Sequence, residues 1–209
     1  MLLFLVQCRR KKINFIFRMS PVSHFLLSWL TANTVQLDRR ERLLVTCGGI
    51  APDMDGLGII ADFLTRNSSR PLQWWGEYHH LLGHNAAFGA LLAAFTLLCA
   101  KQRRTAAALL SLTVFHLHLF CDLVGSRGPD GFQWPLPYLW PFSKAWQWTW
   151  DGQWALNAWP NLLVTAAALL AAFYLAWKTG RSPLEFVSLR ADGQFAAALR
   201  ARLGTPWKS

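Results

Sequence analysis

The sequence predicts an all-α fold, an integral-membrane helical bundle of about four to five helices with a Trp-rich interfacial loop segment. Three observations carry that prediction. Apolar runs near bilayer length recur at residues 81–100, 105–124 and 161–177, and about 20 apolar residues cross a hydrocarbon core of about 30 Å. Charged residues are only 15% of the chain, against about 25% in soluble domains. The net charge of +10 is confined to short Arg/Lys clusters between the apolar runs. That pattern points to membrane topology. It excludes the basic face of a nucleic-acid-binding domain, so no nucleic acid is expected as a partner.

Residues 1–18 run apolar first (Met1 to Val6) and basic second (Arg9 to Lys12). A secretory signal has the opposite order. Met19-Ser-Pro-Val-Ser-His24 reads as a natural beginning, so residues 1–18 are expected to be an N-terminal extension, with a basic membrane-surface arm as the alternative. Residues 19–180 then form the membrane helical domain and residues 181–209 a basic amphipathic tail. The four cysteines (Cys8, Cys47, Cys99 and Cys121) show no CxxC spacing, and so no disulfide framework and no cysteine zinc motif.

Within the helical domain, Ser20 and Pro21 have the chemistry of a cap and a first turn, and helix one runs to about Val35. Asp38 to Arg42 breaks the chain. Helix two runs from Arg42 to about Ile50 and ends at Pro52. Residues 51–58 form a turn that displays Asp53 and Asp55. Residues 59–75 read as a mixed surface segment. The run 81–100 has only His84, Asn85 and Thr96 as polar members and is expected to span the membrane. Lys101 to Arg104 closes it. The run 105–124 is a second span, carrying His116, His118 and Asp122. Residues 125–160 are rich in Gly, Pro and Trp, with seven of the 12 tryptophans between Trp134 and Trp159. Rings with an apolar body and a polar edge suit the interface. Residues 161–177 are a third span, closed by Lys178 to Arg181. Ser182-Pro-Leu-Glu185 has the form of a capping box, opening an amphipathic segment over 186–203.

The basic clusters at 38–42, 101–104 and 178–181 all fall at one end of an up-and-down bundle, which the positive-inside rule assigns to the cytoplasm. The histidines and their neighbouring acids then fall at the other end. His84 lies 17 residues before Lys101 and His118 lies 14 after Arg104. At 1.5 Å per residue these are about 25 and 21 Å along a helix, so separate helices bring polar groups to one depth. His118 and Asp122, four apart, share a helix face and can reach one metal ion. His80 and His84 have the same spacing. His79 and His84, five apart, share a role only if the chain is non-helical near Gly83. Asp53 or Asp55 can add a hard oxygen, and His24 a nitrogen. Mixed His and Asp donors suit a divalent ion, with zinc the first choice and manganese or iron as alternatives, and this many donors make two ions feasible. An acid at membrane depth, such as Asp122, is costly and is commonly functional or paired.

Five features in this order (Ser20 to His24, Pro52-Asp-Met-Asp-Gly56, His79 to His84 with its apolar helix, His118-x-x-x-Asp122, and the Gly-rich stretch ending in Trp140-Pro-Phe142) resemble the YdjM-like membrane-bound metal-dependent hydrolases. The resemblance covers about Met19 to Phe142. It implies an inner-membrane, multi-pass hydrolase whose metal ligands are His24, Asp53, His79 or His80, His84, His118 and Asp122. The HxxxD pair is similar to one in zinc-dependent phospholipase C, which implies a phosphoester substrate by distant analogy. Where the family pattern reads His-Arg-x-x-x-His-Ser, this chain reads His79-His80-Leu-Leu-Gly-His84-Asn85. The choice between His79 and His80 stays open.

The expected function is metal-assisted hydrolysis of a small-molecule or lipid-linked substrate at the membrane. Asp55 is expected to serve as a free carboxylate and general base. Arg127 and Lys144 are expected to hold a phosphate. Membrane lipids are the expected partners. The alternative is a non-enzymatic membrane protein with a structural or transport metal site, and a further alternative is a haem protein with His84 and His118 as axial ligands.

Overall fold

The structure, a computed structural model, describes residues 21–128 and 131–206. The expected extension over residues 1–18 and the Ser20 cap lie outside the described residues. Among these residues the protein is an all-helical bundle without strands. Its helices are α1 (Pro21–Ala32), α2 (Arg39–Ile50), α3 (Gly58–Thr65), α4 (Trp74–Tyr78), α5 (Ala86–Cys99), α6 (Arg104–Gly125), α7 (Trp159–Thr179) and α8 (Leu189–Leu203), with short 3-10 turns at Pro52–Leu57 and Pro183–Phe186.

Helix α6 is the hub, with α1, α2 and α5 packed on it, while α7 packs on α1. Small and hydroxylated side chains recur at these contacts, beside larger core residues such as Trp29, Val114, Phe115 and Leu119. Thr96 Oγ1 and Ser111 Oγ are 2.9 Å apart between α5 and α6, and Ser23 Oγ and Thr165 Oγ1 are 2.7 Å apart between α1 and α7. Small residues and hydroxyl pairs of this kind join helices in an apolar medium, where Leu-on-Leu packing offers no advantage over lipid. Many other large apolar side chains point outwards. Leu91, Phe95 and Leu98 of α5, Leu163 and Leu170 of α7, and Ile59, Ile60, Phe63 and Leu64 of α3 are all exposed.

Two helices, α6 with 22 residues and α7 with 21, are long and apolar enough to cross a membrane. The expected span over residues 81–100 is not one helix. Asn85 accepts a hydrogen bond from Phe88 N and starts α5 there, so α5 has 14 residues, or about 21 Å, and Leu81 to Asn85 are left as loop. Residues 59–65, expected as surface segment, are the apolar helix α3. Together α2 and the segment Pro52–Thr65 are apolar enough for a span but bent by 56°.

The three basic clusters meet at one end of the bundle. Asp38 and Glu41 form the capping box of α2. Glu41 also accepts hydrogen bonds from Gln102 N and Arg103 N, at 2.7 and 2.6 Å, tying α2 to the start of α6. The capping box expected at Ser182 is corrected: Ser182 caps the 3-10 turn, while Glu185 is buried and does not reach back to it. Glu185 instead receives Arg42 Nη2 at 2.5 Å, Arg42 Nε at 2.9 Å and Trp29 Nε1 at 2.9 Å. A bidentate guanidinium outcompetes a local cap for a buried carboxylate. Asp192 of α8 in turn accepts from Ser182 N and Oγ, which docks the amphipathic segment on the bundle.

Candidate metal centre

At the opposite end the chain gathers His and Asp from four places. His24 comes from α1, Asp53 and Asp55 from the turn after α2, His79, His80 and His84 from the loop before α5, and His118 and Asp122 from the last turns of α6. Two glycines allow this convergence. Gly49 lets α2 approach α1 so closely that a Cβ there would overlap Ser28 Oγ, and Gly83 lets the histidine loop cross the Pro52 carbonyl. Pro52 ends α2 and the 3-10 turn that follows aims Asp55 at that loop. Asp55 Oδ2 accepts from Gly83 N at 2.9 Å and so pins it.

The histidine loop is not helical, so the i, i+4 argument for His80 and His84 is replaced by another geometry. His80 sits at φ 65°, a left-handed conformation that non-glycine residues adopt mainly where the surroundings require it. This kink separates the neighbouring side chains. His79 turns to Asp55 Oδ1, at 2.9 Å. His80 stacks on His84 with ring centres 4.3 Å apart. The helical HxxxD pair behaves as its spacing predicts, with His118 Nε2 and Asp122 Oδ2 3.0 Å apart.

Hydrogen bonds on the far side of the rings fix the tautomers. His118 Nδ1 donates to the Gly49 carbonyl at 2.8 Å, and His84 Nδ1 donates to Asp55 Oδ2 at 3.0 Å. Both acceptors lack a proton to give, so the Nε2 atoms of the neutral rings carry lone pairs. Those two atoms face each other at 3.1 Å, and Asp122 Oδ2 lies 3.0 Å from His118 Nε2 and 3.3 Å from His84 Nε2. Three lone-pair donors thus form a triangle with edges of 3.0–3.3 Å, close to the spacing of neighbouring ligands held about 2.0–2.1 Å from a metal ion. Carbonyl and carboxylate groups that orient ligating imidazoles are the usual outer shell of such sites.

The surroundings hold more donors. Asp53 Oδ1 is 3.6 Å from His118 Nε2, and His24 Nε2 is 3.4 Å from Asp122 Oδ1. Two groups have ligand atoms mutually close enough for one ion, His24 with Asp53 and His118, and His80 with His84 and Asp122. His24 Nδ1, Asp53 Oδ2, His80 Nδ1 and Asp122 Oδ2 are buried without a hydrogen-bond partner among the described residues. Buried polar atoms without partners are costly, and a cation satisfies lone pairs of this kind. The donor set therefore fits a divalent metal.

Without a cation, protons compensate the carboxylates. Burial lowers the pKa of His84, but its hydrogen bonds to Asp122 and Asp55 outweigh this and push it up to about 9. His80 moves the other way. Burial, and then the neighbouring His84, hold it well below the usual histidine range, leaving its imidazole neutral and able to donate a lone pair.

The structure brings together His24, Asp53, His80, His84, His118 and Asp122. His79 stands behind them on Asp55, and belongs to neither donor group. Asp55 is not the free carboxylate expected for a general base. Its side chain is 2% exposed and both oxygens are engaged by His79, His84 and Gly83. Arg127 is not brought to the cluster, since its guanidinium donates to Asp151 O at 2.6 Å. Lys144 lies in the exposed part of the Trp-rich loop. The axial haem pair is also ruled out. Two bonds of about 2 Å need nitrogens about 4 Å apart across a macrocycle, whereas these are 3.1 Å apart, and the His24 ring lies 3.9 Å from that of His118.

Sequence reasoning missed the Gly49 carbonyl and Trp134. A carbonyl has no sequence signal. Trp134, read as an interfacial anchor, packs against His79 and His80 at 5.6 and 5.2 Å between ring centres. With Phe132, Gln147 and Glu77 it lines a cleft of about 300 Å³ that leads to His79 and His80.

The family model described as YdjM inner membrane protein matches residues 19–191. No curated protein and no solved structure matches the chain. The chain belongs to the YdjM inner membrane protein family, and is a membrane protein.

Proposed function

We propose that this protein is a multi-pass inner-membrane hydrolase that uses a divalent metal, zinc in the first instance, to cleave a phosphoester or lipid-linked substrate. The observation that carries the reading is the triangle of His84 Nε2, His118 Nε2 and Asp122 Oδ2, with both imidazoles held in the ligating tautomer from behind. Ligands would be drawn from His24, Asp53, His80, His84, His118 and Asp122, and a divalent ion bound there would supply a Lewis acid and an activated water near neutral pH. Asp55 orients His84 and His79. His79 lines the cleft with Nδ1 held by Asp55, which leaves a lone pair on its Nε2, and we assign that atom to take a proton from water and pass it to the leaving group. Trp134 and Phe132 line the cleft. Exposed Ile59, Ile60, Phe63 and Leu64 of α3, on the chain just beyond Asp53 and Asp55, suit a substrate that arrives with an acyl or prenyl chain. In the orientation we favour, the basic loops and the C-terminal tail face the cytoplasm and the metal centre lies towards the other side.

Closure of the basic end by Arg42 and Glu185 argues against a conduit for metal transport. The test is hydrolysis of bis(p-nitrophenyl) phosphate and of phospholipid in mixed micelles by detergent-purified protein. Turnover that a chelator abolishes, that Zn²⁺ restores and that Asp122→Ala lacks is the expected result. A folded, metal-loaded protein that turns over neither substrate would sink the hydrolase assignment.

A further inference from the structure

We propose that the cluster holds two divalent ions, with the Asp122 carboxylate shared between them. The inference rests on the metal-dependent reading above and adds the number of ions and the division of ligands.

The first argument is a surplus of donors. One tetrahedral ion with an open position takes three protein ligands. Six side chains converge here, all within two groups of mutually close ligand atoms. If one ion took His84, His118 and Asp122, then His24, Asp53 and His80 would remain. His24 and His80 are 3% and 5% exposed, and His24 Nδ1, His80 Nδ1 and Asp53 Oδ2 are buried without a partner among the described residues. Two imidazole nitrogens and a carboxylate oxygen buried without hydrogen bonds are expensive to keep unless a cation satisfies them too.

The second argument is the position of Asp122. Its two oxygens between them reach ligands of both groups. Oδ1 lies 3.4 Å from His24 Nε2, while Oδ2 lies 3.3 Å from His84 Nε2 and 3.0 Å from His118 Nε2. A carboxylate that splits its oxygens in this way suits a pair of ions about 3.5–4 Å apart. One ion then takes His24, Asp53, His118 and Asp122 Oδ1, a set of four that leaves it closed. The other takes His80, His84 and Asp122 Oδ2, a set of three that leaves a position open. His80 lines the cleft, so the open position is on the substrate side.

The test is metal stoichiometry of the full chain in detergent, stripped with chelator and dialysed to equilibrium against Zn²⁺, with Mn²⁺ loading for electron paramagnetic resonance. Two ions per chain and a spin-coupled Mn²⁺ pair are expected. Asp53→Asn, a nearly isosteric change at a half-buried side chain, should bind one ion and lose the coupled signal, as should His24→Ala. His80→Ala should lose the other ion. Asp122→Asn should weaken both. Saturation of the folded wild type at one ion per chain, or two ions retained in Asp53→Asn and in His24→Ala, would overturn the proposal. One ion with chelator-sensitive hydrolysis would overturn it while leaving the hydrolase reading in place. Two ions without hydrolysis would do the reverse.

Discussion

The two ends of this bundle bury charge in opposite ways. At the basic end the buried carboxylates are paired with donors. Glu185 takes Arg42 and Trp29, Glu41 takes the amides of Gln102 and Arg103, and Asp192 takes Ser182. At the His/Asp end imidazole nitrogens and carboxylate oxygens crowd together. Nε2 atoms of two imidazoles meet at 3.1 Å beside a carboxylate, and four buried atoms lack a hydrogen-bond partner among the described residues. Both ends are buried and both contain carboxylates, so burial alone does not distinguish them. The protonation inventory does. A closed set of donors and acceptors holds helices together, whereas a surplus of lone pairs is left for a ligand that brings positive charge.

The sharpest way to break this contrast is to treat the ends alike. Arg42→Met leaves Glu185 buried with only the indole of Trp29 as a side-chain donor, and removing one partner of a buried pair costs about 3–5 kcal/mol. Arg42→Met with Glu185→Leu should recover much of that loss, because a buried pair is often replaceable by apolar packing. Asp122→Leu should do the opposite. It should cost little folding stability in the metal-free protein, or raise it, while metal binding disappears. Thermal unfolding in detergent, with and without chelator, reads all three. If Asp122→Leu destabilises the metal-free protein as much as Arg42→Met, the His/Asp end is a structural core and the contrast fails.

The architecture of both ends was legible in the sequence to different depths. Arg/Lys clusters at regular intervals, with apolar runs between them, placed three loops at one end, and the structure ties those loops together through Glu41 and Glu185. The HxxxD pair was legible because a helix converts spacing into direction. His80 and His84 were not, because their loop is shaped by Asp55 and by the approach of Gly83 to Pro52, contacts that span about thirty residues of sequence. The length of α5 was misjudged for the same reason. Leu81 and Leu82 continue the apolar pattern, but the Asn85 cap and the pinned Gly83 start the helix later. Asp55 illustrates a limit of residue-type reasoning. Its identity suggested a base, and only its partners show it as a support behind two histidines.

That reassignment yields the next test. If Asp55 orients His84, Asp55→Asn keeps the shape but weakens the hold on the Nδ1 proton. Loss of an outer-shell partner of this kind lowers metal affinity by about 10–100-fold. Zn²⁺ competition with a chromophoric chelator should show that loss with little change in the melting temperature of the metal-free protein. An unchanged affinity would return Asp55 to the role of a catalytic base, and hydrolysis at saturating metal would then be the property that falls.

The smallest effect expected is the dependence on pH. In the metal-free protein the His84 pKa is raised to about 9, above the value of about 6.5 for an unfolded histidine. A group raised in this way stabilises the folded state fully below about pH 6.5, and the contribution is lost as the pH rises through about 9. Metal needs the opposite protonation state, since a cation at His84 Nε2 must displace the proton there. Stability of the metal-free protein should therefore fall between pH 7 and 9 while metal affinity rises, by up to about tenfold per pH unit for the one proton released. Asp55→Asn removes one of the two carboxylates that raise this pKa, so it should move both transitions to lower pH. Crossing of the two curves, one for unfolding and one for metal binding, would tie the lone-pair surplus to a single imidazole. Parallel curves would mean that another group of the cluster carries the displaced proton.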